Sequence, residues 1–103
     1  MKLKSLSIQL PKSKINQLCL QYHINKLSLF GSVLRDDFTP QSDVDILVEF
    51  QPGKTPSFFT LVDIQDRLEN IIKRKVDLRT LPELSIYFRD RVLAEALVIY
   101  DRN

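Results

Sequence analysis

Two short stretches carry residues whose types and spacing suit metal-assisted chemistry. Gly31-Ser32 is followed by ten residues and then by Asp43-Val44-Asp45. The second carboxylate leads directly into an apolar run, Ile46-Leu47-Val48, which reads as a strand. Successive strand side chains point to opposite faces, so Asp43 and Asp45 share one face while Val44, Ile46 and Val48 share the other. Two carboxylates side by side repel each other, and burying them unpaired is costly. A divalent cation removes both problems. Mg²⁺ takes oxygen ligands and is typically held by one or two carboxylates together with substrate phosphates. A D-x-D pair by itself is more often a solvated surface or turn feature. This one follows a Gly-Ser turn that ends a strand, and it opens an apolar strand of its own. A calcium loop starting at Asp37 does not fit, because Ser42 stands where such a loop needs Gly and Val48 where it needs Glu.

The pattern Gly31-Ser32, ten residues, Asp43-Val44-Asp45 resembles the nucleotidyltransferase superfamily that includes DNA polymerase beta. The short chain and its surrounding residues resemble the minimal nucleotidyltransferase (MNT) branch, antitoxins paired with HEPN-domain toxins. The resemblance extends from about Leu27 to Tyr100 and includes Lys75-Val76-Asp77-Leu78 and Val92-Leu93-Ala94-Glu95-Ala96. One departure stands in the turn. Many relatives carry Ala-Arg-Gly where this chain has Leu34-Arg35-Asp36, so the turn after Arg35 is expected to differ.

Roles follow from the resemblance. It implies that Asp43 and Asp45 hold Mg²⁺, with Mn²⁺ as an alternative, against nucleotide phosphates. It implies that Asp77 is the third catalytic carboxylate, as a second metal ligand or as acceptor of the attacking hydroxyl's proton. By alternation Asp77 shares a face with Asp43 and Asp45 if its strand lies beside theirs. The plainer reading is a strand-end acid paired with Arg79 or Lys75. Gly31 lets the backbone approach a phosphate, and Ser32 offers its hydroxyl and N–H. Arg35 is a candidate phosphate clamp, with a surface role equally open. ATP is the implied donor and a tyrosine hydroxyl of a HEPN-family RNase toxin the implied acceptor, in a hetero-oligomer whose toxin the transfer inactivates. Two alternatives remain: an antitoxin that neutralises by binding alone, and a nucleotidyltransferase acting on nucleic acid. The latter would want a longer basic track or an added binding domain. No Walker A pattern is present.

The elements that must position these residues can be read from periodicity. Residues 1–10 form a short lead. Ile15, Leu18, Cys19 and Tyr22 fall on one helical face within Pro11–His23. Cys19 on that face is a buried apolar residue rather than a reactive thiol, and His23 belongs to the helix end or the surface. Strands are expected at Leu27–Phe30, Asp43–Phe50, Val76–Thr80 and Leu97–Tyr100. A helical turn is expected at Ser32–Asp36. A helix capped by Thr55, with Pro56 at its first position, should run to about Lys73. Phe58, Leu61, Val62, Leu68, Ile71 and Ile72 supply its apolar stripe. Lys73-Arg74-Lys75 should complement its C-terminal end. A last helix should run from Pro82-Glu83 to about Ala96. The fold class is therefore α/β (α+β), a small mixed sheet with helices packed on one face and the carboxylates on the other, open to ligand.

Composition sets the outer bounds. Residues 1–103 are read as one minimal nucleotidyltransferase domain. A net charge of +2 gives no strong nucleic-acid signal. A single cysteine rules out an internal disulfide and suits a reducing cytoplasm. No apolar run approaches a membrane span, and the first residues lack the apolar stretch of a signal peptide.

Overall fold

The buried faces of two helices and four strands close over one core, described in a computed structural model for residues 8–35 and 38–103. The lead before Ile8 and the turn at Asp36 lie outside the described residues. Helix α1 (Lys12–Gln21) is entered from Pro11 and ends at Tyr22, and exposed His23 then turns the chain with a φ of 59°. Strand β1 (Ile24–Phe30) begins three residues earlier than its apolar residues suggested. A one-turn 3-10 helix follows at Gly31–Leu34. Then come β2 (Val44–Phe50), α2 (Phe58–Ile72) and β3 (Val76–Thr80). A second 3-10 turn at Leu81–Glu83 precedes α3 (Arg89–Glu95) and β4 (Leu97–Asp101).

The strands lie in the order β3-β2-β1-β4. β1 is antiparallel to both β2 and β4, while β2 and β3 are parallel and joined through α2. The expected mixed sheet is thus present. Ile15, Leu18 and Cys19 of α1 and Ile64, Leu68 and Ile72 of α2 pack on Leu27, Leu29, Val44, Ile46 and Val48. Burial pushes the Cys19 thiol up to about 12, which keeps it protonated and inert.

Three features differ from the sequence reading. Helix α2 is capped by Ser57, whose side chain accepts from the Thr60 N–H, and not by Thr55. Its buried stripe is Ile64, Leu68 and Ile72, whereas Phe58 is 72% exposed and Val62 is exposed as well. At 3.6 residues per turn Phe58 and Val62 stand roughly 120° and 160° around the helix from Ile64, off the buried face. The expected last helix is broken. Thr80 and Glu83 form a capping box on a 3-10 turn, and Leu84–Phe88 leaves the helical path before α3 begins.

The face opposite α1 and α2 is not open along its whole length. Ser28 and Leu47, paired across β1 and β2 on that face, are 2% and 0% exposed, and the 3-10 turn after β3 packs against β2. Edge strand β3 has its outward N–H groups satisfied by side chains. Glu69 accepts from Val76, Gln65 from Leu78, and Glu83 from Thr80. Such pairing closes an edge that would otherwise recruit another strand.

The two readings of α2 separate cleanly in unfolding. Ile64→Ala should cost about 3 kcal/mol, the scale of a buried large-to-small change. Phe58→Ala should stay within about 0.5 kcal/mol. Urea unfolding followed by circular dichroism measures both. Equal losses would put Phe58 back in the core.

Candidate active site

Asp45 is the second residue of β2, and its side chain lies on the sheet face away from the helical core. The parallel register sets Asp45 against Asp77 on β3, and the antiparallel register sets it against Phe30 on β1. Gly31 follows Phe30 with a φ of 75°. A Cβ there would collide with the carboxylate, its Oδ2 lying 2.2 Å from the position that the added atom would take. Gly31 is therefore required twice, by its left-handed backbone and by the approach of Asp45. The glycine makes room for an acid of its own chain, where the sequence suggested room for a phosphate.

Asp43 lies just before β2, exposed and on the same side as Asp45 by alternation. Asp45 is held above the usual carboxylate range. Burial is the largest cause, followed by the negative charges of Asp77 and Asp43, with Arg79 and Arg35 opposing the rise. The structure thus brings Asp43, Asp45 and Asp77 to one face, with Gly31 and Arg35 beside Asp45. Ser32 sits in the 3-10 turn, where its carbonyl accepts from the Arg35 N–H. A groove of about 350 Å³ opens next to them, lined by Gly31, Leu34, Arg35, Glu95, Ala96 and Leu97.

The donor set is all oxygen, and it holds more negative charge than its neighbours balance. Those properties suit a hard divalent cation on Asp43 and Asp45. The three acids do not form a ready-made cage. Among the described residues no group of three His, Cys, Asp or Glu side chains is disposed to hold a metal. Asp77 is instead engaged by Arg79, with Nε 3.0 Å from Oδ1 and Nη2 3.3 Å from Oδ2. The plainer sequence reading of Asp77, an acid paired with Arg79, describes this contact.

Arg74 was missed as a functional residue. It does not merely complement the end of α2. Its Nη2 donates to the carbonyls of Ser42, at 2.7 Å, and Thr39, at 2.8 Å. Its guanidinium carbon lies 4.5 Å from the centre of the Phe38 ring. Arg74 therefore fastens the loop that delivers Asp43, while the Val44 N–H donates to the Lys75 carbonyl. Nothing in the spacing of Lys73-Arg74-Lys75 marks the central residue, because its partners are backbone atoms more than thirty residues away.

The family model described as polymerase beta nucleotidyltransferase matches residues 13–103. The chain belongs to this nucleotidyltransferase family. Among its relatives is a Methanocaldococcus jannaschii protein provisionally named a protein adenylyltransferase, 37% identical over 86 residues, which are 84% of this chain and 90% of that one. Protein adenylyltransferase MntA of Thermococcus cleftensis is 29% identical over 79 residues, covering 77% and 78% of the two chains. A solved structure of a provisionally assigned minimal nucleotidyltransferase superposes with a TM-score of 0.68 at 29% identity, covering 84% and 86%. A crystal structure of a toxin–antitoxin with AMP-PNP shares the fold, with a TM-score of 0.70 at 22% identity, covering 91% of this chain and 76% of that chain. Among the described residues no helix is long and apolar enough to cross a membrane.

Two measurements test this geometry. The charged form of Asp45 is disfavoured in the folded nucleotidyltransferase. Its penalty is absent below the ordinary value of 3.8 and grows as pH rises through the raised folded value. Asp45→Asn should therefore be more stable than the parent at pH 7 in chelator-containing buffer, with the gap closing below pH 4. A gap that widens on acidification would contradict the assigned cause. Arg74→Ala should lose about 2 kcal/mol in the same unfolding assay, from charge-assisted bonds to two carbonyls, and should lower nucleotidyl transfer beyond any loss of folded protein.

Proposed function

We propose that this nucleotidyltransferase is an antitoxin that transfers AMP from ATP to a tyrosine hydroxyl of a HEPN-family RNase toxin and so inactivates it. The reading is supported most by one observation, the register that sets Asp45 against both Asp77 and the strand leading into Gly31. Two further facts add to it: relatives named protein adenylyltransferase, and a similar fold in a tri-AMPylated HEPN toxin complex with MNT antitoxin from Shewanella oneidensis. The single cysteine suits the reducing cytoplasm as the place of action.

Asp43 and Asp45 are the residues assigned to hold Mg²⁺, which when bound neutralises charge developing on the phosphates. The Gly31-Ser32 turn and Arg35 are assigned to the triphosphate, beside the groove that Gly31 and Arg35 line with Leu97. In transfer, the tyrosine oxygen forms a bond to the α-phosphorus and the bond to pyrophosphate breaks. Asp77 is assigned the proton released by the tyrosine hydroxyl. A carboxylate held by Arg79 accepts that proton poorly, so the contact must loosen when the site is loaded. That same contact is the observation that favours the alternative, an antitoxin acting by binding alone.

The acceptor is assigned to another molecule, the HEPN-family toxin. Phe58, Phe59, Tyr87 and Phe88 are exposed apolar residues that could meet it. Phe38 is half-buried under Arg74 and is not among them.

Incubation with a HEPN-family toxin, ATP and Mg²⁺ should add the mass of AMP less water to a partner tyrosine, read by intact mass and peptide mapping. Chelation should abolish it. Asp43→Asn and Asp45→Asn should each lower the rate by about 100-fold or more, the scale of removing one charge-stabilising group. Neutralisation of an unmodified partner would transfer the assignment to the binding-only antitoxin.

A further inference from the structure

Asp77 and Arg79 lie two residues apart on β3, so both project from the carboxylate face. Arg79 grips Asp77 with two parallel N–H···O contacts at 3.0 and 3.3 Å. A second acid waits on the other side of the guanidinium. Glu83 Oε2 lies 3.7 Å from Arg79 Nη1, within ion-pair range and beyond a hydrogen bond. Glu83 is itself fixed, because its Oε1 accepts from the Thr80 N–H at 2.9 Å and from the Thr80 hydroxyl at 2.8 Å. Thus one cation stands between a carboxylate beside the assigned metal ligands and a carboxylate anchored at the end of the strand.

We propose that Arg79 is a positioning residue of the site: its guanidinium is the resident counter-ion of Asp77, withholding that carboxylate from a divalent cation on Asp43 and Asp45 until Arg79 transfers to Glu83. This rests on the assignment of Asp43 and Asp45 as metal ligands. Three properties of the contact carry it. The fork-like geometry places one N–H on each oxygen of Asp77 and offsets its charge, so the acid attracts a metal less while Arg79 is in place. The side chains are 46% and 37% exposed, and ion pairs that wet are weak enough to exchange. Glu83 gives the displaced cation a fixed destination on the same face, so release of Asp77 does not strand a charge. The order of loading follows: Asp43 and Asp45 bind first, and Asp77 becomes available afterwards.

The test is Mn²⁺ binding to the full chain without nucleotide, followed by the electron paramagnetic resonance signal of the free ion. The parent, R79Q, D77N and the double variant are compared, with circular dichroism to confirm folding and R79K as a second variant that keeps the charge but lacks the fork. R79Q should bind Mn²⁺ about fivefold more tightly than the parent, the equilibrium equivalent of breaking an exposed ion pair. R79K should fall between the two. In the D77N background the Arg79 change should have no effect on affinity. An unchanged affinity in R79Q would overturn the proposal. So would a gain that persists without Asp77, which would mean that Arg79 acts only through its distant charge. If the parent and Asp45→Asn bind Mn²⁺ equally, the metal assignment itself fails and the inference goes with it.

Discussion

A half-buried carboxylate pressed against a glycine is the constraint on which the rest depends. Asp45 is short of solvent and flanked by two other acids, and its charge is disfavoured by both. A fold keeps such a group only if its neighbours over-determine its position. Here Gly31 gives it space, β1 and β3 hold its strand from both sides, and Arg35 and Arg79 return part of the missing positive charge. The same arrangement that costs stability without a cation creates a site that a cation would complete. That trade between stability and readiness is common where charges are gathered for function.

The scaffold around this acid is built so that each piece is held by a distant one. α2 is the clearest case. Its buried residues close the core, and on another face Gln65 and Glu69 satisfy the outer N–H groups of β3. The residue just past its end, Lys73, turns left-handed and leads into Arg74, which reaches back to the loop before Asp43. One crossover thereby sets the register of Asp77 and restrains Asp43. Thr80 and Glu83 do similar work at the other end of β3, where the capping box also holds Glu83, the second acid within ion-pair range of Arg79. Exposed aromatic residues at the start of α2 and after Leu84 are spared from this internal work, which leaves them for a partner surface.

Much of this was legible in the chain. The Gly-Ser turn, the ten-residue spacing and the D-x-D pair entering an apolar run locate the site, because alternation along a strand is a local rule. Val76–Thr80 was read with its observed limits, and its place beside β2 was stated as a condition that the parallel register meets. Cys19 was read as core, and it is. Local signals failed where competing signals lay close together. Thr55-Pro56 and Ser57 both suit a helix start, and Phe58, although apolar, stands off the face that Ile64, Leu68 and Ile72 bury. Pro82-Glu83 resembles the start of a long helix, yet Glu83 is spent on the Thr80 capping box and the helix stops.

What the sequence determined by itself was therefore that Asp43 and Asp45 share one face, and the alternation of strands and helices around them. Periodicity and short-range turn chemistry are sufficient for that. Tertiary structure alone decided what each acid touches. That Gly31 faces Asp45, that Arg74 binds the carbonyls of Thr39 and Ser42, and that Ser28 and Leu47 are buried on the carboxylate face all depend on strands and loops distant in sequence. The pairing of Asp77 with Arg79 was one of two open readings, and only side-chain placement on the assembled sheet chose between them. Long-range contacts leave no periodic trace in the chain, because the partner of each group is set by the register and packing of elements rather than by its neighbours.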